Sequence, residues 1–246
     1  MHAPWHSWLT LLLLCIVHSA RVVLANTEIV NFDASQSPDV FLAGANEWPV
    51  LSPSHALALM RVPPAPTGTP ITAVCEPISS SNMGHCPHET WLAVDLDASA
   101  WLSYSKFTLR VSWPAMHPAD FFIDIYSPEQ LAAQLRSSLK DVPRHSSDKP
   151  TLTRKKFARI RVVHSGVFTP SPGNANRTVE PIPFNVLVEP LYLGVLPASL
   201  IPTVAFLLVV VAVAGFVVLP RVNRALFAAA EEVKAEIAAA EGHKKQ

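Results

Sequence analysis

A long apolar run near the C-terminus constrains this chain more than any other feature. No charged residue occurs from Leu200 to Leu219, and Pro202 is the only proline within this run. An α-helix of this length is about 30 Å long, which matches the hydrocarbon core of a bilayer. The run therefore predicts one transmembrane helix over 200–219.

The charges that flank this run predict its orientation. Arg221 and Arg224 follow it directly, whereas the nearest charge on the other side is Glu189. Positive charges next to a span favour the cytosolic side. We therefore expect residues 220–246 to be cytosolic and the preceding chain to be lumenal.

A shorter apolar run near the N-terminus predicts a signal peptide. Trp8 to Val17 is about ten residues long, too short to span a bilayer. Val23 and Ala25 supply small residues at positions −3 and −1, so we place cleavage after Ala25 and the signal peptide at 1–25. The run has no Lys or Arg before it, and an uncleaved anchor or a buried helix stays open. Together the two runs predict a single-pass type I membrane protein.

The remaining residues, 26–195, are expected to form one lumenal domain. The 246 residues are 50% hydrophobic, 15% charged and of zero formal net charge. A neutral chain has no overall field that would attract nucleic acid, so we expect no nucleic-acid partner. The high apolar content predicts a packed core rather than disorder.

Alternating apolar residues predict a mainly β domain. In Lys106 to Trp113 every second residue is apolar, which is the pattern of a half-buried strand. Similar or weaker runs, bounded by Pro and Ser, occur at Glu28–Phe32, Ala56–Val62, Ile71–Cys75, Thr90–Leu96, Phe121–Tyr126, Ala158–Val163 and Phe184–Glu189. About eight short strands of this kind predict a lumenal antiparallel β-sandwich.

Two helices are expected besides the span. Ser127 and Gln130 form a capping box, and Leu131, Leu135 and Leu139 repeat every four residues, which predicts one short helix in the domain. Ala, Glu and Lys dominate 224–241 and predict a helical tail after the membrane. That tail is either a docking helix or a solvated extension.

The two cysteines of the mature chain, Cys75 and Cys86, are expected to form a disulfide. An even pair in an oxidising compartment is most simply bridged. A metal site formed with His85 and His88, and two free thiols, stay open as alternatives.

Asn176 begins an Asn-Arg-Thr sequon in a turn-rich segment, and we expect it to be N-glycosylated in the lumen.

Five cations occur within eight residues and form the one basic cluster. Two interpretations stay open for it: an interaction patch for lipid phosphate or an acidic partner, or the solvated face of a strand. The cluster consists of Arg154, Lys155, Lys156, Arg159 and Arg161.

The sequence carries no Gly-x-Ser-x-Gly elbow, His-Glu-x-x-His helix, P-loop or Cys-x-x-Cys motif. Asp95 and Asp97 could be paired carboxylates, but we interpret them as surface groups near a turn. We therefore expect no catalytic residue, no resident metal and no cofactor.

The layout of signal peptide, lumenal β-domain, single C-terminal span and short tail resembles PIG-X type accessory subunits of the GPI mannosyltransferase. The resemblance concerns the layout and carries over no individual residue. It implies a location in the endoplasmic reticulum (ER) membrane. It also implies a non-catalytic subunit that stabilises a multispan ER membrane protein in GPI-anchor biosynthesis, in contact with membrane lipids. A cargo or adhesion receptor with an Ig-like ectodomain, and a lumenal enzyme, are the alternatives.

Overall fold

The computed structural model describes residues 25–79, 83–138, 151–167 and 180–243. Side chains are described to Leu135 within 83–138 and to Lys234 within 180–243. The predicted signal peptide, except Ala25, lies outside these residues, as do Asn176 and Leu139. The chain divides after Gly194 into two compact units, Met1–Gly194 and Val195–Gln246.

The first unit contains ten strands and one α-helix among its described residues. The strands are β1 (Ala25–Asp33), β2 (Ser37–Pro38), β3 (Val50–Leu51), β4 (Leu57–Val62), β5 (Glu89–Val94), β6 (Lys106–Pro114), β7 (Ala119–Tyr126), β8 (Leu152–Thr153), β9 (Lys156–His164) and β10 (Ile182–Tyr192), and the helix is α1 (Pro128–Ser138).

Two sheets face each other in this unit. The first has the order β1-β6-β10-β4 and is antiparallel throughout. The second has the order β3-β5-β9-β7, in which only the two-residue pairing of β3 with β5 is parallel. β2 and β8 form a separate small ladder. The predicted, mainly β, antiparallel sandwich is confirmed, with β3 as a short parallel exception.

The main core lies between the two sheets and follows the alternation seen in the sequence. Val111 of β6, Val186 of β10 and Ile160 of β9 are fully buried in it. Phe121 packs against Trp113 at 4.3 Å and against Phe184 at 5.0 Å between ring centroids, and so joins β7 to both central strands of the first sheet.

Helix α1 begins with the predicted capping box. The Ser127 hydroxyl accepts the Gln130 N–H at 3.2 Å, and Gln130 Oε1 accepts the Ser127 N–H at 2.9 Å. These bonds satisfy two donors that the start of a helix leaves free. Leu131 and Leu135 then pack with Trp91 in a second apolar cluster.

One predicted strand is wrong. Ile71–Cys75 does not extend, because Ile71–Ala73 forms a 3₁₀ turn after Pro70 and Cys75 has a positive φ of 58°. The short apolar run here covers part of the outer surface rather than joining a sheet, and Thr72 and Ala73 are exposed.

The second unit is dominated by one continuous helix after a short strand, β11 (Leu196–Pro197). It comprises α2 (Ile201–Val213), a π-helical turn (Ala214–Val218) and α3 (Leu219–His243). The stretch Ala198–Lys234 is long and apolar enough to cross a membrane. Arg221 donates to the carbonyl oxygen of Val217 at 2.8 Å, which gives that carbonyl of the π-helical turn a partner. The predicted span and helical tail are confirmed as helix.

Candidate functional site

The chemistry-bearing side chains of the first unit concentrate on the outer face of the second sheet. Alternation along β9 places Arg159 and Arg161 on this face, opposite the main core. The face is not open to solvent, because α1 and the segments 75–79 and 83–86 cover it: Leu131, Ile78 and Met83 belong to the same apolar cluster as residues of β5 and β9. The basic side chains of β9 therefore lie under a second layer.

Arg159 is held by two carboxylates and a backbone carbonyl, and its side chain is only 1% exposed. Its Nε donates to Glu89 Oε2 at 2.7 Å, and Nη1 donates to Glu76 Oε1 at 2.6 Å. Its Nη2 donates to the carbonyl oxygen of Cys75 at 2.7 Å. The guanidinium also lies over the Trp91 ring, 5.6 Å from the centroid. One side chain thus fastens the segment around Cys75 to the sheet.

Arg161 forms a parallel set of contacts two residues further along the strand. It donates to Asp124 of β7 at 2.7 Å and to the carbonyl oxygen of Ile71 at 2.8 Å. It also shares Glu76 with Arg159, at 3.3 Å. The two arginines and three carboxylates form a network that we call the β9 ion cluster: Glu76, Glu89, Asp124, Arg159 and Arg161.

The electrostatics of this cluster favour charged arginine. Burial alone lowers the pKa of Arg159, but the hydrogen bond to Glu76 and the charge of Glu89 outweigh it and raise the pKa above the ordinary value. Lys156 shows the opposite balance, because burial lowers its pKa while its ammonium donates to the carbonyl oxygen of Ser35 at 2.9 Å. Burial and the charge of Asp124 raise the pKa of Tyr126.

Arg154 lies apart from the β9 ion cluster and binds backbone oxygens. Its guanidinium donates to the carbonyls of Ala34, Trp101, Leu102 and Tyr104. These bonds give hydrogen-bond partners to backbone carbonyl oxygens outside the regular strand pairing.

The predicted basic interaction patch is therefore wrong. Three of its five cations are buried: Arg154, Lys156 and Arg159. Arg161 forms ion pairs with Glu76 and Asp124. Among the five, only Lys155 lacks a described partner for its side chain. The solvated-face alternative fails for the same reason. The cations on β9 neutralise acids that are distant in sequence, and no local pattern in the sequence marks those acids.

Cys75 and Cys86 form a disulfide in the structure, with Cα atoms 5.8 Å apart. His88 lies elsewhere, with Nδ1 3.0 Å from the carbonyl oxygen of Pro63, and His85 is exposed. Within the described residues, no group of three His, Cys, Asp or Glu side chains is placed to hold a metal ion.

An open groove of about 730 Å³ lies beside β3 in the first unit. Exposed Phe41, Val50 and Leu152 line it together with Asp39. Asp95 and Asp97 also line it, but their carboxylates are hydrogen-bonded within the protein.

Both aspartates organise the backbone. Asp97 accepts from the Thr153 hydroxyl and from the Arg154 N–H, at 3.1 Å for the latter, and Asp95 accepts the Asp97 N–H at 3.1 Å. These contacts make them turn-forming groups rather than a free carboxylate pair.

Comparisons with known proteins give one useful relationship. The chain is 24% identical over 191 residues to a GPI mannosyltransferase 2 subunit of Schizosaccharomyces pombe, covering 78% of this chain and 82% of the relative. No family model matches the chain. No solved structure matches it. The expected resemblance to a GPI mannosyltransferase subunit is confirmed.

Proposed function

We propose that this protein is a non-catalytic accessory subunit of an ER membrane complex in GPI-anchor biosynthesis, where it keeps a multispan partner stable. The observation that carries the proposal is the similarity to a GPI mannosyltransferase 2 subunit over most of both chains. A helix able to span the membrane, Ala198–Lys234, supports a membrane-embedded partner.

The chemistry of the described side chains supports a stabilising role. The buried charged groups described in the first unit form internal ion pairs, as in the β9 ion cluster, or hydrogen bonds to backbone carbonyl oxygens, as at Arg154. Such groups give a rigid domain but present no poised nucleophile or acid–base pair to a substrate. A rigid domain attached to a membrane helix is suited to holding another membrane protein.

The proposed topology is type I in the ER membrane. It comprises a signal peptide over 1–25, a lumenal domain over 26–195, a span over 200–219 and a cytosolic tail over 220–246. Arg221 and Arg224 support this orientation through the positive-inside rule. Protease added to intact microsomes should remove only the tail; digestion of the whole domain would reverse the orientation.

Glycosylation gives an independent test of the same topology. Oligosaccharide is added to sequons such as that at Asn176 only on the lumenal side. Endoglycosidase should lower the apparent mass of the wild-type protein and leave Asn176→Gln unchanged. An identical mass before and after digestion of the wild type would remove this support.

The partnership itself is tested by purification in mild detergent. A tag on the full chain should recover a multispan GPI mannosyltransferase protein in near-equal amounts. A matched tag on an unrelated type I protein of the ER is the control. Recovery of this chain alone, under conditions that preserve known ER complexes, would contradict the proposal.

A further inference from the structure

The free edge of β4 is the feature of the first unit that is most open to a partner. β4 pairs with β10 on one side, and within the described parts of the chain no strand pairs with its other side. An unpaired strand edge presents backbone donors and acceptors to any extended chain that approaches it.

The hydrogen-bond register shows which groups of β4 are free. The Val188 N–H donates to the Ala56 carbonyl at 2.9 Å, so Ala56 and Val188 are a hydrogen-bonded pair. In an antiparallel ladder such pairs occur at every second residue, so Ala58 and Met60 also bond to β10. The backbone groups of the residues between them therefore point away from the sheet; these residues are Leu57, Leu59 and Arg61.

The side chains of this edge are apolar and exposed. Leu57 is 60% exposed and Leu59 is 73% exposed, both on the outer face of the first sheet. Ala58 and Met60, on the inner face, pack against the main core but are only half-buried. A further strand on this edge would cover aliphatic surface on both faces.

Of the other open edges of the two sheets, that of β3 is only two residues long, and those of β7 and β1 carry charged residues. β7 carries Asp120 and Asp124, and β1 carries Glu28 and Asp33. Charged residues are the usual means by which proteins deter edge-to-edge pairing. β4 has no carboxylate and no lysine, and its one charge, Arg61, lies near its end.

We propose that the free edge of β4 binds an extended segment of the partner subunit by strand addition. The segment carries aliphatic residues at alternate positions and an acidic residue facing Arg61. Backbone pairing selects an extended polypeptide over lipid or glycan, because a strand alone matches the regular donors and acceptors of the edge. This inference deepens the proposed function, since it names the contact with the partner.

Charge favours a partner segment over a second copy of this chain. Arg61 and the half-exposed Arg110 are the basic groups of this part of the sheet, and only Arg110 has a described acidic partner, Glu189 at 3.8 Å. Pairing two copies through β4 would bring two such positive surfaces together, whereas an acidic residue on a different chain would complement them.

Amide hydrogen exchange of full-length protein tests the pairing directly. In the isolated chain in detergent, the amides of Leu57, Leu59 and Arg61 should exchange much faster than those of Ala58 and Met60. In the complex purified from native membranes, all five should be protected, since the outward amides gain acceptors. Equally fast exchange of the three outward amides in the complex would overturn the inference.

Substitutions separate pairing from general hydrophobic contact. Leu59→Pro removes a donor that points away from β10, so it blocks strand addition and keeps the ladder. A second variant, Leu57→Lys with Leu59→Lys, charges the edge in case the proline unfolds it. Both should lower partner recovery severalfold. Phe41→Ser, which removes an exposed apolar residue from the groove beside β3, is the control and should keep full recovery.

The charge of the partner segment is tested by Arg61→Glu, which should lower recovery severalfold, while Arg61→Lys should retain it. Equal recovery of both variants would rule out the acidic residue. If the outward amides are protected in the purified chain alone and its mass is doubled, a second copy of this chain, and not a partner segment, occupies the edge. A recovered complex with an unprotected edge overturns this inference alone; absence of any multispan partner overturns the proposed function as well.

Discussion

Arg159 and Glu89 form a buried ion pair across β9 and β5, with Nε 2.7 Å from Oε2 and side chains only 1% and 2% exposed. The other Glu89 oxygen accepts the Trp91 indole N–H at 2.8 Å. Both groups are therefore removed from water and depend on each other. Through its other bonds, to Glu76 and to the Cys75 carbonyl oxygen, Arg159 also joins the sandwich to the segment that carries the disulfide.

Arg159→Met should destabilise the first unit by about 3–5 kcal/mol, because it leaves the Glu89 carboxylate buried without its cation. Pulse proteolysis of the full chain in urea and mild detergent measures the free energy of unfolding. Lys155→Met, the same substitution at a side chain without a described partner, should change it by less than about 0.5 kcal/mol. Equal losses in the two variants would contradict the placement of Arg159.

Replacing both members of that pair should recover stability. Arg159→Met combined with Glu89→Leu leaves no uncompensated charge between them, so the double variant should be more stable than Arg159→Met alone. Glu76 loses its Arg159 partner in both variants, and the Trp91 indole loses its acceptor only in the double variant, so recovery should be partial. A double variant less stable than either single variant would show that the pair is not coupled.

The disulfide between Cys75 and Cys86 should be present in protein from cells. Non-reducing peptide mapping should detect the linked peptides. Cys75→Ser should destabilise the domain by about 3 kcal/mol on the chain-entropy model for a loop of this length. Alkylation of both cysteines in the native protein without reductant would contradict the bond.

Val111 should tolerate no charge, because it is fully buried between the sheets. Val111→Asp places an unpaired carboxylate in the core and should remove most of the stability of a domain of this size, which is about 5–15 kcal/mol. Ser112→Asp, the next residue on the opposite face of β6, is the control. The steady-state amount of protein should fall sharply only for Val111→Asp, and equal amounts would mean that the face assignment is wrong.

Ser127→Ala should cost about 1 kcal/mol, since it removes the acceptor that the Gln130 N–H uses at the start of α1. Ser99→Ala, at an exposed serine outside any α-helix, should cost almost nothing. The same urea series measures both variants. A neutral Ser127→Ala would indicate that the capping box contributes little in solution.

The strands were predictable where one face meets the core and the other meets solvent. Alternation therefore identified β6 nearly to the residue and the middle of β10, and the Ser-x-x-Gln pattern identified the start of α1. Alternation also placed Arg159 and Arg161 on the outer face of β9, which is correct.

What alternation could not show is that this outer face is covered. The acids that pair with Arg159 lie 70 and 83 residues away in sequence, so only the fold brings them together. The free edge of β4 was hidden for a related reason, because strand order and register decide which backbone groups lack a partner, and one strand's own sequence carries neither.

The central claim is that this chain stabilises a membrane-embedded partner of GPI-anchor biosynthesis, and protein abundance after its removal tests that most directly. Quantitative proteomics of ER membranes from cells that lack this protein should show a strongly reduced amount of a multispan GPI mannosyltransferase protein, while its transcript is unchanged. Expression of the full-length chain should restore that amount. Unchanged abundance of every multispan protein of this pathway would contradict the account.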